Sequence, residues 1–322
     1  MRAVRWCVLV AALLLVACGS DNKPSASSGA SSAPTSGGGT VVTDADSGSG
    51  VDITHLPVGD NRLVTTPTVG SIFACRTGGA GGGASAQGPW FNGDGTWDLT
   101  KKVFVDGDVR WDAASATFAV QGDMRVITSN ALPAHGTGVF PISPSDDAYQ
   151  YDRNPNTITS QTLSISIDAT PTAAATPTCL GGEVGIASDG VPIFNGFDAG
   201  NRDAAAWEVQ DQCHGHPQMS GIYHYHDISP CLDDAGTGHS KLVGYAFDGF
   251  GIYGPRGEDG TELTTAGLDV CHGHTHTIEW DGQQVEMYHY HATKDFPYTA
   301  SCFHGTSTQQ GPLGRSVIPG RG

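Results

Sequence analysis

Positive charge is scarce in this chain: 16 Lys and Arg stand against 33 Asp and Glu, a formal charge of -17 over 322 residues. Such a surface repels phosphate backbones and anionic headgroups and attracts cations, which argues against a nucleic-acid partner. Helical periodicity is also missing, beyond a possible turn or two around Ala204 to Gln210. With 45 glycines and 18 prolines, the chain favours many turns over long helices, which disfavours an α/β fold. Neither a Gly-x-Ser-x-Gly elbow nor a His-Glu-x-x-His helix occurs, so the two commonest hydrolase signatures are absent. The apolar run Val8 to Ala17 is too short to make a good transmembrane helix.

That run instead has the form of an export signal. Arg2 and Arg5 precede it, and it ends Leu15-Val16-Ala17-Cys18, which resembles a bacterial lipoprotein signal cut before Cys18 with acylation of that thiol. An ordinary secretory signal is the alternative, and it would leave Cys18 as an unpaired, reactive thiol. Residues 18–60 are rich in Ser, Gly, Thr, Ala and Asp and read as a flexible tether. Residues 61–322 are then the folded part. Without the signal the mature chain keeps 14 basic residues against 33 acids, a formal charge near -19.

The rest of the chain is organised by a duplication. Tyr223-His224-Tyr225-His226 and Tyr288-His289-Tyr290-His291 each follow a Cys-His-Gly-His run, at Cys213 to His216 and Cys271 to His274. Each run is preceded by an Asp-Gly-hydrophobic segment starting at Asp189 or Asp248, and each unit closes on a cysteine, Cys231 or Cys302. Ordered matches of this kind mark an internal repeat, about 182–231 and 241–305.

Hairpin geometry turns the spelling into a face. Asp281-Gly282 is a two-residue turn signal, and placing it at the tip pairs Trp280 with Gln283, Ile278 with Val285, His276 with Met287, His274 with His289 and His272 with His291. In the first unit a three-residue loop, Met219-Ser220-Gly221, pairs His216 with His224 and His214 with His226. Side chains alternate along a strand, so four histidines per unit share one face and the tyrosines take the other. Pro217 has no N–H and requires an edge position.

Six cysteines remain besides Cys18. In an exported chain they argue for disulfides, and the repeat suggests Cys213 with Cys231 and Cys271 with Cys302, leaving Cys75 with Cys179. The rival reading makes Cys213 and Cys271 thiolate ligands beside their histidines. Strand candidates upstream are Val103 to Val105, Thr117 to Val120, Met124 to Thr128 and Leu163 to Ile167, with a hairpin loop at Asp106-Gly107 inside Val103 to Val109. The expected fold is all-β, with antiparallel sheets in a sandwich-like arrangement and a duplicated histidine-rich hairpin.

The paired Tyr-His-Tyr-His elements resemble the YHYH protein family of bacterial secreted proteins, over about Ser129 to Gly305. Ser129 to Gly138, Asn154-Pro155-Asn156, Gly244 to Pro255, Phe296-Pro297-Tyr298 and Cys302-Phe303-His304-Gly305 resemble its characteristic segments. The resemblance implies no settled reaction, substrate or cofactor. Cys213-His214-Gly215-His216 departs from the asparagine- and histidine-containing segment that commonly precedes the first motif there, which makes His214 a weaker ligand candidate than His216. His135 is a further candidate ligand by its place in a family-like segment, with a surface or capping role as the alternative.

The functional expectation is a transition-metal site, or two equivalent ones, built from His214, His216, His224 and His226 and from His272, His274, His289 and His291. Neutral imidazole suits Zn²⁺ and Cu²⁺, whereas Ca²⁺ and Mg²⁺ require oxygen ligands that these faces lack. The expected partners are that ion and, through Cys18, a lipid bilayer of the cell envelope. A metal-dependent hydrolase or copper redox enzyme is one alternative, with Asp227, Asp248, Glu279 and Glu286 as available bases. A structural or adhesive protein with hydrogen-bonded His/Tyr ladders is the other.

Overall fold

Alternation of apolar and polar residues builds the first sheet. In the computed structural model, which describes residues 50–79, 81–308 and 313, Leu163, Ile165 and Ile167 are buried at 3%, 2% and 0% exposure while Ser164 and Ser166 between them face solvent. Each of these three apolar side chains contributes about 2 kcal/mol by leaving water. The export signal, Cys18 and the tether as far as residue 49 lie outside the described residues. The tether's expected end at residue 60 moves earlier: Leu56 is buried in the core and pairs with Trp97.

Four short strands lead the described residues. β1 (Leu56–Pro57), β2 (Leu63–Val64), β3 (Ile72–Phe73) and β4 (Thr96–Trp97) pair β1 with β4 antiparallel and β2 with β3 parallel. β5 (Ala116–Gln121), β6 (Met124–Ser129) and β7 (Leu163–Asp168) form an antiparallel sheet in that order. The expected hairpin over Val103 to Val109 does not form. Val105 donates its N–H to the carbonyl of Gln210, and Val109 pairs with Thr137, so both sides of the Asp106-Gly107 bend are taken by distant segments. β8 (Ala173–Thr178) pairs with β17 (Phe303–Gly305).

The duplicated region builds one eight-stranded sheet. β9 (Glu183–Ala187), β10 (Pro192–Phe194), β11 (Gly215–Pro217) and β12 (Tyr223–Tyr225) come from the first unit. β13 (Leu242–Ala246), β14 (Gly251–Tyr253), β15 (Gly273–Trp280) and β16 (Gln283–His291) come from the second. Their order, β11-β12-β10-β9-β13-β14-β16-β15, reads the same from both ends when each strand is exchanged for its repeat equivalent. Both histidine hairpins therefore lie at sheet edges, which accommodates Pro217 on β11.

The centre of that sheet is a local two-fold. Gly185 pairs with Ala246, Ile186 with Tyr245 and Ala187 with Gly244. Counting back from Asp189-Gly190 and Asp248-Gly249, Gly185 and Gly244 are equivalent positions, so the symmetry axis passes through the Ile186/Tyr245 pair. Neither glycine has room for a Cβ: one added at Gly244 would lie 2.8 Å from the Ile186 carbonyl oxygen, and one at Gly185 would overlap the Tyr245 carbonyl. Gly244→Ala should accordingly lower stability by about 1–3 kcal/mol by forcing the central strands apart. Urea unfolding measures this, and an unchanged midpoint would remove the close-packed axis as a feature that matters.

The three-stranded sheet covers part of this larger one. Arg125 of β6 sits over the rings of Tyr245 and Trp280, 4.4 and 5.1 Å from their centroids, and donates to Asp281 at 2.8 Å. Phe118 packs against Tyr245, and Trp280 donates its indole N–H to the carbonyl of Ala169. The architecture is an all-β, sandwich-like arrangement, as the turn-rich sequence implies.

Candidate metal centre

The hairpin turns set the histidine register. Asp281 and Gly282 take positive φ of 49° and 77°, and Gly221 takes 81° at the end of the three-residue loop. The ladder then pairs His274 with His289, His276 with Met287, Ile278 with Val285 and Trp280 with Gln283 in the second unit, and His216 with His224 in the first. All of these are the pairs that the turn residues dictate.

The Cys-His-Gly-His run has a separate job for each residue. Asp211 accepts from the N–H groups of Cys213 and Gly215, and Asp269 accepts from those of Cys271 and Gly273. This loop puts the intervening His214 and His272 at φ 61° and 76°. A left-handed residue interrupts strand alternation, so both imidazoles leave the shared face. His214 stacks on Phe104 and binds Asp227 through Nδ1 at 2.7 Å. His272 donates from Nδ1 to the His291 carbonyl at 2.8 Å, and its Nε2 lies 3.0 Å from the Thr265 hydroxyl. The four-histidine face expected in each unit is thus corrected to three, because the first histidine of each run is turned away and already partnered. The glycines are needed because the Tyr223 and Tyr288 rings lie where their side chains would be.

Cysteine chemistry is settled by pairing. The disulfides are Cys75 with Cys179, Cys213 with Cys231 and Cys271 with Cys302. Cys213 and Cys271 are therefore not thiolate ligands, and a grouping of His135 with Cys213 and Cys231 has only one ligand nitrogen to give.

The tyrosines take the other face, each against a carboxylate, of which Asp211 and Asp248 are buried. Tyr223 donates to Asp211, Tyr225 to Asp189, Tyr288 to Asp269 and Tyr290 to Asp248. Burial pushes the Asp248 carboxyl up to about 6, and the Tyr290 hydroxyl partly restores its charged form. His135 belongs to this side, with Nε2 at 2.7 Å from the Tyr225 hydroxyl, and it does not join the histidine clusters. Of the bases considered from sequence, Asp227 holds His214 and Asp248 holds Tyr290. Glu286 lines a surface cleft, and Glu279 is exposed on β15.

In the first unit His216, His224 and His226 converge, each at 3% exposure. Their ring nitrogens fix the chemistry. His224 Nδ1 donates to the Ile222 carbonyl at 3.2 Å, and His226 Nδ1 donates to the Asn195 carbonyl at 2.6 Å. With the proton on Nδ1, each Nε2 carries a bare lone pair, yet the two Nε2 atoms lie 3.1 Å apart. Burial holds both rings below the usual imidazole range, so a proton shared between them is disfavoured. Glu208, which follows the short helix α1 (Ala204–Trp207), brings Oε2 to 3.5 Å from His216 Nε2 and 3.4 Å from His226 Nε2. That oxygen and His216 Nε2 are buried without a hydrogen-bond partner. Burial, reinforced by Asp152 and Asp198, pushes Glu208 well up.

The second unit repeats the pattern. His289 Nδ1 donates to the Met287 carbonyl at 3.1 Å, His291 Nδ1 to the Gly254 carbonyl at 2.6 Å, and their Nε2 atoms again face each other at 3.1 Å. His274 lies beside them, with ring centroids 4.8 and 4.9 Å away. Two residues that the motif did not select complete the cluster, His239 from a loop and His276 from β15. The Nε2 atoms of His239, His274 and His276 are all buried and unpartnered. Burial lowers His289 to about 3 and His291 to about 2, so both are neutral across the physiological range.

These donors suit a small cation. Ligand atoms around a four-coordinate ion with metal–nitrogen bonds of about 2.0–2.1 Å lie about 3.3 Å from one another, close to the 3.1, 3.4 and 3.5 Å separations in the first cluster. Residues 162–267 match the family model described as YHYH protein. The chain carries a YHYH domain. The matched part of the YHYH domain holds the whole first cluster and the His239 loop, and it ends before the second Tyr-His-Tyr-His at 288–291. No curated protein and no solved structure matches the chain.

Proposed function

We propose that this protein is an exported, lipid-anchored binder of transition-metal ions, zinc or copper, with one histidine site in each half of the YHYH repeat. The observation that carries this reading is the pair of facing Nε2 atoms, 3.1 Å apart in both units, with each Nδ1 committed as a donor to a backbone carbonyl. Two opposed lone pairs buried at that distance repel each other unless a positive centre lies between or beside them. Orphaned atoms at Glu208, His216, His239, His274 and His276 ask for the same partner. Imidazole nitrogen is a zinc and copper ligand, and the single nearby carboxylate is too few oxygens for calcium or magnesium.

The signal-like segment before Cys18 and the three disulfides support an oxidising location outside the cytoplasm. Acylation at Cys18 would tether the domain to a bilayer through the Ser/Gly-rich segment, and the net acidity would draw cations toward it. Element-resolved mass analysis of protein purified without a histidine tag tests the reading. About two zinc or copper ions per chain are expected after reconstitution; a content near zero would leave the histidines as a hydrogen-bonded ladder only.

A further inference from the structure

The two clusters are equivalent in origin and different in access. In the first, His216, His224 and His226 are each 3% exposed and Glu208 is 8% exposed. In the second, His289 and His291 are fully buried, but His239, His274 and His276 are only partly so. His276 also lines a surface cleft of about 430 Å³ with Glu258, Thr275, Thr277 and Glu286. Among the cluster's imidazoles, His276 is the one that connects this cleft to the others. Its Nδ1 lies 2.9 Å from the Thr277 carbonyl and 3.5 Å from Glu258. Its Nε2 is buried, without a partner, among His239, His274 and His289, whose ring centroids are 4.7, 4.7 and 4.5 Å away.

Donor count separates the sites as well. The first offers three imidazoles and a carboxylate, a set matched in number to a four-coordinate ion. In the second, His239, His276, His289 and His291 bring ring nitrogens within 4.8 Å of one another, and His274 stands beside them as a fifth imidazole, one more than such an ion uses. Surplus donors let an ion move by replacing one ligand at a time, so it need never be stripped bare in a buried site, where desolvation would be costly. Glu258 and Glu286 give the mouth negative charge, which raises the local concentration of cations.

We propose that the second site is a transfer site, which loads and releases a first-row transition-metal ion through the Glu258/Glu286 cleft by way of His276, while the first site retains its ion. This inference rests on the proposed metal-binding function. The full chain, loaded with two equivalents of Zn²⁺, is mixed with the chromophoric chelator 4-(2-pyridylazo)resorcinol and zinc release is followed in time. Release in two phases of similar amplitude is expected, with rates separated by about tenfold or more, equivalent to at least about 1.4 kcal/mol in barrier.

Substitutions assign the phases. His224→Ala should abolish the slow phase alone, whereas His276→Ala should slow the fast phase by about fivefold or more. Glu258→Gln with Glu286→Gln changes only exposed or rim carboxylates; it should slow zinc loading of the fast site by about three- to tenfold and leave two ions bound. Release of both ions in one phase, or loss of the fast phase with His224→Ala, would overturn the assignment while leaving metal binding intact. A chain that takes up no zinc at all would overturn metal binding itself.

Discussion

Replacing His289 and His291 together by alanine should remove one ion per chain, whereas Tyr288→Phe and Tyr290→Phe should leave the metal content unchanged and lower stability. The histidine pair supplies the two fully buried side chains of the second cluster, and their protons are fixed on Nδ1 by the Met287 and Gly254 carbonyls. Without them, only the partly exposed imidazoles remain. The tyrosine hydroxyls never meet the ion, since they face Asp269 and Asp248 across the sheet. Deleting the Tyr290 hydroxyl leaves the buried Asp248 carboxylate short of one donor and costs about 1–3 kcal/mol, whereas Asp269, which is exposed, can replace the Tyr288 hydroxyl with water at a smaller cost. Zinc per chain by mass analysis and the urea midpoint separate the two effects. Two ions retained by the double histidine variant, or an ion lost on either tyrosine change, would show that the wrong face had been identified.

The alternation that separates these faces was legible because the turns are. Asp281-Gly282 and Gly221 fix the register, and each register then places His274 against His289 and His216 against His224. The disulfides followed from the repeat. What could not be read was where the alternation begins: Asp211 and Asp269 hold the following loop in a shape that flips His214 and His272 away, and an aspartate two residues before a cysteine carries no obvious sign of that. His276 could have been found, since it stands two residues from His274 on one strand. His239 and Glu208 could not, because a loop and the end of a single helical turn bring them in from outside the hairpins. The same limit explains Val103 to Val109, where distant partners at Gln210 and Thr137 displaced a plausible local hairpin.

Symmetry explains why such different edges coexist. The axis at Ile186/Tyr245 fixes the central strands of both units through backbone contacts that tolerate no side chain at Gly185 or Gly244. The hairpins at the two ends are free of that constraint. β11 stops at three residues ending in Pro217, while β15 runs for eight, and the additional length carries His276 to the rim. Longer pairing at one edge thus converts a closed donor set into one that reaches solvent.

Acid should unfold the metal-free protein well before it would unfold a chain without these buried histidines. His272, His289 and His291 are almost fully shielded from solvent, and burial lowers them to about 4, 3 and 2 from an ordinary 6.5. A folded state that binds fewer protons than the unfolded one loses stability as pH falls. The contribution is fully present above pH 6.5 and is lost progressively below it, by about 2 kcal/mol per histidine between pH 7 and 5. Asp203 and Asp248 act in the opposite direction: burial raises them to about 7 and about 6, so their folded forms gain protons over the same interval and return stability. The return is about 4 kcal/mol for the two, against about 6 for the three histidines; His216, His224 and His226 add to the loss, and Glu208, Asp152, Asp189, Asp211 and Glu183, all raised by burial, add to the return. Bound zinc keeps its ligand histidines neutral, so the acid limb should move to lower pH in the loaded protein, although protons displace the ion eventually. His272 lies outside the ligand set, and its share of the limb should persist with zinc present. Circular dichroism against pH, with and without zinc, measures both limbs; a metal-free acid limb unchanged when His289 and His291 are replaced by alanine would show that these histidines are not buried in their neutral form, and a zinc-loaded limb superimposed on the metal-free one would place the ion away from them.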